Sequence, residues 1–574
     1  MALVIRLLLG LVLFPFRALR WSLRRLYLVV RGYNVLRLKV HGSLPDRGGA
    51  RSLLGMARGQ GGPSLLDVTG ALERARRDPR VKVVLVELGP LALGLARAEE
   101  LREALGRARD GGKRVIVYLE ECGLAEYAAA LGASEIVLSP GGALNVTGIR
   151  SEVLLVRGLL DRVGVRAWFS ARGKYKSMRE TFTEPRMTPA NREMTEALVG
   201  DLYEQIVLAI AASRRLDAQV VREHLDRGPF MADEAKELGF VDRVLYLDEI
   251  ETALKSEVVP FRPLELGSYM KLSTHLVGSG RPTKIALLEV KGHIKSGANG
   301  SGPSVRSTGS RDFVRDVKAA ADDPRVRAIL LRVDSPGGSA LSSDVMWRAL
   351  SLAREKKPIV VSMVDVAASG GYFVAGIKGT PILASGATLT GSIGVVGGKF
   401  ELAELYEKLG IRKEVVARGL HSGFFSESRG LSDEEVEKLE RDIDAHYRHF
   451  VARMAAGREK SVEEIDKVAQ GRVYTGRQAL AVGLVDETGG LVSALARVRS
   501  ILGLGVTAPL ALAGAASARR RFPVRLAWGA AEHAPLGFSL PGALAETLLV
   551  PLSLAEHFSS ERVLALMPFS IRFG

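Results

Sequence analysis

Ser369 is the residue whose setting first suggests chemistry. It lies in "DVAASGGYFVAG", residues 365–376, directly after the apolar run "PIVVSMV". A serine between alanines and glycines at the end of a buried strand is the usual setting of an exposed nucleophile. Such a serine needs a base, and no histidine stands in this stretch. The residues around Ser369 therefore predict a nucleophile whose base comes from another part of the chain.

The chain contains two copies of one unit. The segment "RDPRVKVVLVEL" (77–88) recurs as "DDPRVRAILLRV" (322–333), and "MADEAKELGFVDRV" (231–244) recurs as "YTGRQALAVGLVDET" (474–488). Because the matches keep their order and spacing, they indicate a tandem duplication of roughly residues 34–265 and 280–505. Each copy alternates apolar β-branched runs with amphipathic stretches, which predicts an α/β fold. The N-terminal segment 1–33 and the C-terminal extension 506–574 lie outside the repeat.

The two copies differ at the residues that could do chemistry. When Gly148 is aligned with Gly391, Ser369 falls on Glu126, so the first copy lacks the serine. When "ARG" of "ARGKYKSMRE" is aligned with "ARG" of "ARGLHSGFFS", Lys176 falls on Ser422, so the second copy lacks the lysine. This complementary loss predicts that Lys176 of the first copy is the base for Ser369 of the second.

A serine–lysine pair sets conditions on its surroundings. A free lysine has a pKa near 10.4 and is charged at neutral pH, whereas burial lowers that pKa and lets the neutral amine take the serine proton. We therefore expect apolar walls around Lys176. The developing oxyanion needs two N–H donors, and the candidates are Gly337, in "RVDSPGGSA" (332–340), and Gly370, which follows the nucleophile.

Other polar residues near these motifs have simpler interpretations. Ser392, in "TGSIG", either hydrogen-bonds the lysine amine or caps a loop. Asp334 is expected to cap the turn before "SPGG", since a dyad with a neutral lysine needs no third carboxylate. His446 and His449 are three residues apart on a predicted helix and are interpreted as surface residues. We predict neither a metal nor a cofactor, because the sequence has no phosphate-binding glycine loop and no dinucleotide fingerprint.

Composition narrows the class of protein. The chain has 574 residues, of which 47% are hydrophobic and 25% charged, as expected for a folded protein of two or three domains. Its single cysteine excludes an intrachain disulfide framework and cysteine-rich zinc sites. The net charge of +16 fits anionic lipid or nucleic acid, but the basic residues form no stripe interleaved with aromatics. Nucleic-acid binding is therefore not expected.

The N-terminal segment 1–33 mixes leucines with many arginines. Its apolar core, Leu7 to Phe16, is shorter than the roughly 20 residues that span a bilayer, and no small-residue cleavage site follows it. The pattern favours a helix or hairpin at a membrane interface, with a short signal anchor or a helix packed on its own domain as alternatives. The C-terminal extension 506–574 is expected to pack on the second domain, although contact with lipid or with the rim of an assembly is an alternative.

These motifs together resemble the signal peptide peptidase A (protease IV) family in its long two-domain type, peptidase family S49. The resemblance rests on "RVDSPGGS", "VAASGGYFVA" and "TGSIGVV" in the second copy and "KYKS" in the first, and it covers about residues 34–505. It implies a ClpP/crotonase-like fold in each copy, with Ser369 and Lys176 as the catalytic pair. It also implies a homotetramer at the bacterial inner membrane, facing the periplasm, that cleaves remnant signal peptides and other apolar peptides. The arginines after the apolar run would tend to hold that end of the segment in the cytoplasm, so a cytoplasmic face is the alternative.

Two functions of other classes remain open from the sequence. A crotonase-type acyl-CoA enzyme would use the same glycine amides to hold an enolate, and Ser369 would then be dispensable. A non-catalytic membrane scaffold would need neither Ser369 nor Lys176. Labelling by a serine-reactive probe separates both from a serine endopeptidase.

Overall fold

The computed structural model of the chain describes residues 32–42, 44–47, 63–272, 282–301, 306–514, 563–566 and 571–573. Nearly all of the predicted membrane-associating segment and most of the C-terminal extension lie outside this part of the chain. Among the described residues, no helix is both long and apolar enough to cross a bilayer.

The first half of the chain alternates strands and helices as predicted. Its strands are Val35–Gly42, Val83–Leu91, Arg114–Leu119, Cys122–Gly123, Glu135–Leu138, Ala143–Asn145, Ile149–Ser151, Arg166–Arg172, Phe230–Met231, Arg243–Val244 and Pro263–Glu265. Its helices are Leu65–Arg77, Leu95–Asp110, Leu124–Ala130, Arg157–Val163, the 3₁₀ turn Ser177–Arg179, Glu180–Thr183, Pro189–Arg214, Ala218–Leu225, Ala232–Glu237, Leu247–Glu257 and Leu266–Tyr269.

The second half repeats this order of elements. Its strands, with two from the C-terminal extension, are Thr283–Lys291, His293–Lys295, Gly300–Ser301, Arg306–Gly309, Ala328–Ser335, Gly337–Ser339, Ile359–Ala368, Ile382–Ala384, Leu389–Gly391, Val395–Glu401, Val473–Thr475, Glu487–Thr488, Leu510–Gly514, Val563–Leu566 and Ile571–Phe573. Its helices are Ser310–Asp322, Ala340–Lys356, Gly370–Ala375, Ala403–Lys408, Asp433–Arg458, Val462–Val468, Gly476–Ala481 and Leu491–Ile501.

Each half is built around a largely parallel sheet. In the first, Val35–Gly42 lies between Val83–Leu91 and Pro263–Glu265, and every pairing along the sheet is parallel. In the second, Ala328–Ser335 lies between Thr283–Lys291 and Ile359–Ala368, again in parallel. These central strands are near-continuous runs of buried apolar side chains, because helices cover both faces of the sheet. The α/β class predicted from the sequence is confirmed.

Equivalent tyrosines fix the correspondence between the halves. Tyr127 donates its hydroxyl to the carbonyl of Phe240, and Tyr372 donates its hydroxyl to the carbonyl of Leu484, both at 2.7 Å. Since Tyr372 is three residues after Ser369, the equivalent of Ser369 is the residue three before Tyr127, which is Leu124. The sequence alignment on Glu126 was wrong by two residues, because Gly148 follows Tyr127 by 21 positions whereas Gly391 follows Tyr372 by 19. Its conclusion that the first copy lacks the serine holds.

The two halves share one interface, and a strand crosses it. Arg166–Arg172 of the first half pairs antiparallel with Val395–Glu401 of the second over its whole length. This pairing extends a third sheet that also contains Gly337–Ser339 and Val563–Leu566. The segment that follows Arg166–Arg172 is thereby held against the second half.

A buried ion cluster joins the halves behind this sheet. The guanidinium of Arg332 is 1% exposed and donates to Glu100 Oε1 at 2.7 Å and to Asp46 Oδ1 at 2.9 Å. Arg97 donates to Asp334 Oδ2 at 2.7 Å and also pairs with Asp365. Asp334, expected to cap a turn, is therefore part of the interface between the halves.

Removal of one charge from this cluster is expected to destabilise the whole chain. Arg332→Leu leaves the Glu100 carboxylate buried without its hydrogen-bonded partner, which typically costs about 3–5 kcal/mol, whereas Asp46 keeps Lys291 and Arg97. The midpoint of chemical denaturation should fall accordingly. Arg325→Leu is the matched control, because Arg325 pairs with Asp323 at the surface and its side chain is 68% exposed. An equal, small effect of both substitutions would contradict a stabilising role for the cluster.

Candidate active site

Ser369 lies at a sharp turn between a strand and a helix. The strand Ile359–Ala368 ends one residue before it, and the helix Gly370–Ala375 begins one residue after it. Its backbone has φ 55° and ψ −115°, a region that costs a residue with a Cβ about 1–3 kcal/mol. Its N–H donates to the Gly391 carbonyl at 2.8 Å, which helps to hold the turn. A strained turn of this kind holds a side chain in one direction at the carboxyl end of a sheet.

Lys176 reaches this serine from the first half of the chain. It lies four residues after the strand Arg166–Arg172, at the start of a 3₁₀ turn. Its Nζ is 2.7 Å from Ser369 Oγ, 3.0 Å from Ser392 Oγ and 3.2 Å from the Ser392 carbonyl. The two residues that the sequence analysis paired are therefore in direct contact within one chain.

This contact is closed off from solvent. Lys176 is 2% exposed, and Ser369 and Ser392 are fully buried. Burial holds the pKa of the Lys176 amine well below its ordinary value, and no carboxylate contributes to the shift. The uncharged amine is favoured, because a low-dielectric site without a counter-charge penalises the ammonium form.

Ser392 was an open case in the sequence, and the structure places it against the amine. Its backbone has φ 51°, and its N–H donates to the Arg472 carbonyl at 2.7 Å. That conformation presents both its hydroxyl and its carbonyl to Lys176. A loop-capping role alone does not account for these two contacts.

Two glycines that the sequence did not single out make room for the lysine. A Cβ on Gly471 would lie 2.6 Å from Lys176 Cβ, and one on Gly394 would lie 3.1 Å from Lys176 Cδ. Tyr175 N–H also donates to the Gln470 carbonyl at 2.7 Å, which fixes the backbone next to the lysine. The second half thus holds the lysine stem by close backbone contact.

The candidate oxyanion donors lie on either side of the serine. Gly370 is the first residue of its helix, so its N–H has no acceptor within that helix. Gly337 N–H donates to Ser335 Oγ at 3.1 Å, and that hydroxyl donates to the Gly292 carbonyl at 2.6 Å. Ser335 was not anticipated, and it already occupies the Gly337 N–H. Gly338, which follows Gly337, must be a glycine for a different reason, because a Cβ at that position would lie 2.0 Å from the Ile294 carbonyl oxygen.

His446 and His449 line a cavity of about 280 Å³ next to the site. The cavity is otherwise mainly apolar, and Phe373 and Val395 form part of its wall. His449 Nε2 is 2.9 Å from Asp344 Oδ1, an acidic partner that the sequence did not indicate. In the part of the chain that the structure describes, no group of three or more side chains is arranged to hold a metal.

The depressed pKa of Lys176 predicts that this residue destabilises the fold. Between the folded and unfolded pKa values the unfolded chain binds one more proton, so lowering the pH weakens the fold by up to about 1.4 kcal/mol per unit. Lys176→Met removes the titrating amine and with it this loss of stability. We expect its denaturation midpoint to exceed that of the unsubstituted chain at pH 7 and the difference to shrink towards pH 10. A lower midpoint at pH 7 would mean that the buried lysine is charged.

The close contact with Gly471 predicts that a methyl group there displaces the lysine. Gly471→Ala is expected to slow fluorophosphonate labelling of Ser369 by about 100-fold, since a misplacement of about 1 Å has that effect on a reacting group. Gly503→Ala is the control, because Gly503 shares a positive φ (63°) but a Cβ there meets nothing within 4 Å. Equal labelling rates in both variants would show that the contact is unimportant.

Comparison with known proteins agrees with the motifs. The chain matches Peptidase family S49 twice, over residues 107–259 and 351–504. It is 31% identical over 474 residues to "Serine protease SPPA, chloroplastic" of Arabidopsis thaliana, covering 81% of this chain and 69% of that one. It is 31% identical over 457 residues to "Protease 4" of Salmonella typhi, covering 76% and 72%.

Among solved structures, ClpP1 from Listeria monocytogenes aligns with 36% of this chain and 91% of its own, at 12% identity and a TM-score of 0.23. The two family matches fall in the two halves that the repeats define, so the tandem duplication is confirmed. The resemblance recognised in the motifs is confirmed as well. The chain belongs to peptidase family S49 and is a serine protease.

Proposed function

We propose that the protein is a membrane-associated endopeptidase that cleaves remnant signal peptides and other apolar peptides with a Ser369–Lys176 dyad. The observation that carries the proposal is the 2.7 Å contact between Lys176 Nζ and Ser369 Oγ in a buried site. A lysine at this place has no structural need to be buried, since it forms no ion pair there. Its burial is explained if the neutral amine is the base.

The hydrogen bonds around the amine suit that role. A neutral amine has two N–H groups and one lone pair. The two N–H groups can donate to the carbonyl and the hydroxyl of Ser392, at 3.2 and 3.0 Å. The lone pair is then left for the Ser369 hydroxyl, which donates its proton as the oxygen attacks the peptide carbonyl. The ammonium that results keeps both Ser392 contacts and can protonate the leaving amine.

The acyl-enzyme that forms on Ser369 is then hydrolysed. Lys176, neutral again, takes a proton from the attacking water, and the serine leaves as the proton returns. Gly370 N–H is the simpler of the two oxyanion donors, because it has no acceptor within its helix. Gly337 N–H can join it only by exchanging its bond with Ser335 for one with the substrate.

Apolar surroundings favour apolar peptides as substrates. One face beside the serine carries the cavity whose walls include Phe373, Val395 and Phe450. The other carries a buried cluster of Val156, Met178, Phe182, Val396 and Leu564. Both would accept aliphatic or aromatic side chains from an extended chain, and the one carboxylate in the cavity wall, Asp344, is in contact with His449.

The assembly and the membrane location extend this proposal. Residues 412–418 correspond by the repeat to the strand Arg166–Arg172, yet they are unpaired coil, with Val415 71% and Val416 94% exposed. A second copy of the chain can cover these two exposed valines, and a head-to-tail contact of this kind closes into a ring. The homotetramer comes from the family resemblance. Residues 1–33 are proposed to attach the two α/β domains, 34–265 and 280–505, to an anionic lipid surface at the bacterial inner membrane rather than to nucleic acid.

Labelling with a fluorophosphonate tests the dyad. Ser369→Ala is expected to abolish labelling, and Lys176→Ala to slow it by about 10²–10⁴-fold, the usual contribution of a general base. In the unsubstituted chain, labelling should fall as the pH drops through the depressed pKa of Lys176, because only the neutral amine accepts a proton. Lys174→Ala is the matched control, since Lys174 lies on the same loop with its side chain 62% exposed.

The same variants separate the other classes of function. Hydrolysis of an acyl-CoA thioester that survives in Ser369→Ala would identify a crotonase-type enzyme. Labelling that is unchanged in Lys176→Ala would show that the amine is not the base.

A further inference from the structure

The C-terminal extension contributes a strand to the active site. Val563–Leu566 lies between Gly337–Ser339 and Val395–Glu401 and runs antiparallel to both. Leu564 pairs with Ser339 on one side and with Val396 on the other. The two flanking strands do not pair with each other, so the extension fills a slot one strand wide.

Both strands that flank this slot begin next to residues of the candidate active site. Gly337, a candidate oxyanion donor, pairs with Leu566. Val395 follows Gly394, which contacts the lysine stem, and lies three residues after Ser392. The chain in the slot therefore runs alongside the serine and the lysine, and its C-terminal end lies at Gly337, one of the two proposed oxyanion donors.

The extension continues to the other half of the chain. Ile571–Phe573 pairs antiparallel with Ile149–Ser151 of the first half, which also supplies Lys176. Four residues separate the two pairings. The extension is thus bound on the second half at Val563–Leu566 and on the first half at Ile571–Phe573.

The slot binds one apolar side chain firmly. Leu564 is fully buried and packs in the cluster of Val156, Met178, Phe182 and Val396. Neighbouring residues of the wall face opposite ways: Val396 belongs to this cluster, whereas Val395 lines the 280 Å³ cavity. Alternate side chains of a peptide in the slot would thus enter two apolar sites, while its backbone pairs with both walls.

We propose that Val563–Leu566 is a substrate-like strand that occupies the peptide-binding slot and competes with substrates, which rests on the proposed peptidase function. Backbone pairing on two sides and one buried leucine are the interactions that a foreign apolar peptide would need. Because the strand is part of the same chain, its effective concentration at the slot is of the order of millimolar. A substrate must displace it, and the slot selects for extended peptides with an apolar residue at the Leu564 position.

Peptide binding tests this without requiring catalysis. The probe is a fluorescent peptide "ERVLALMP", the sequence of residues 561–568, added to Ser369→Ala chains. A chain ending at residue 562 should bind it about ten-fold more tightly than the full chain, if the peptide's own Kd is near 0.1 mM and the tethered strand is at about 1 mM. Leu564→Asp in the full chain should have the same effect, because a charge in the apolar pocket expels the strand. Leu564→Met is the control that keeps it in place.

The possible outcomes separate this proposal from the proposed function. Equal binding by the full and shortened chains, or no binding by either while both remain folded, would overturn the competing strand. If the shortened chain misfolds, the test is the difference in peptide binding between the full-length Leu564→Asp and Leu564→Met variants. Fluorophosphonate labelling of the same chains with Ser369 restored tests the dyad separately. Tighter binding in the shortened chain without labelling would support the competing strand and refute the proposed Ser369–Lys176 dyad.

Discussion

The proposed chemistry depends on one contact, that between the Lys176 amine and a buried hydroxyl. Lys176 Nζ and Ser369 Oγ are 2.7 Å apart and come from opposite halves of the chain. Neither group would be reactive alone, since the serine lacks a base and an exposed lysine would be protonated at neutral pH. Apposition of the halves both joins the two groups and excludes the water that would keep the amine charged. The interface is therefore part of the chemistry that we propose.

Several features of the fold hold this contact against its own instability. A depressed pKa at Lys176 and a positive φ at Ser369 each make the folded state less stable. The cross-half strand Arg166–Arg172 and the ion cluster around Arg332 stabilise the same interface. Strain and burial at the site are tolerated because the surrounding contacts leave the two side chains no alternative arrangement.

Repeats and local patterns in the sequence predicted part of the fold and of the candidate site. Buried strands, the duplication and the division of Ser369 and Lys176 between the copies all followed from comparing one half with the other. The Glu126 alignment failed because the segment between the helix after the nucleophile position and the glycine anchor is two residues longer in the first copy, 21 positions from Tyr127 to Gly148 against 19 from Tyr372 to Gly391. Gly471, which contacts the lysine, and the partners of Arg332 left no signal, because each contact joins residues hundreds of positions apart.

The slot beside Ser369 and Lys176 could not be predicted from local sequence patterns, because its two flanking strands and the strand that fills it lie far apart in the chain. Two strand edges that face each other across the width of one strand leave backbone groups unsatisfied unless another strand fills the gap. In this chain Val563–Leu566 fills it, and under the proposed function an incoming peptide would make the same backbone pairs before its carbonyl reached Ser369. Recognition through the backbone makes the site tolerant of sequence, whereas the pocket of Leu564 requires an apolar residue. A chain that is extended and apolar meets both conditions, and a folded surface meets neither.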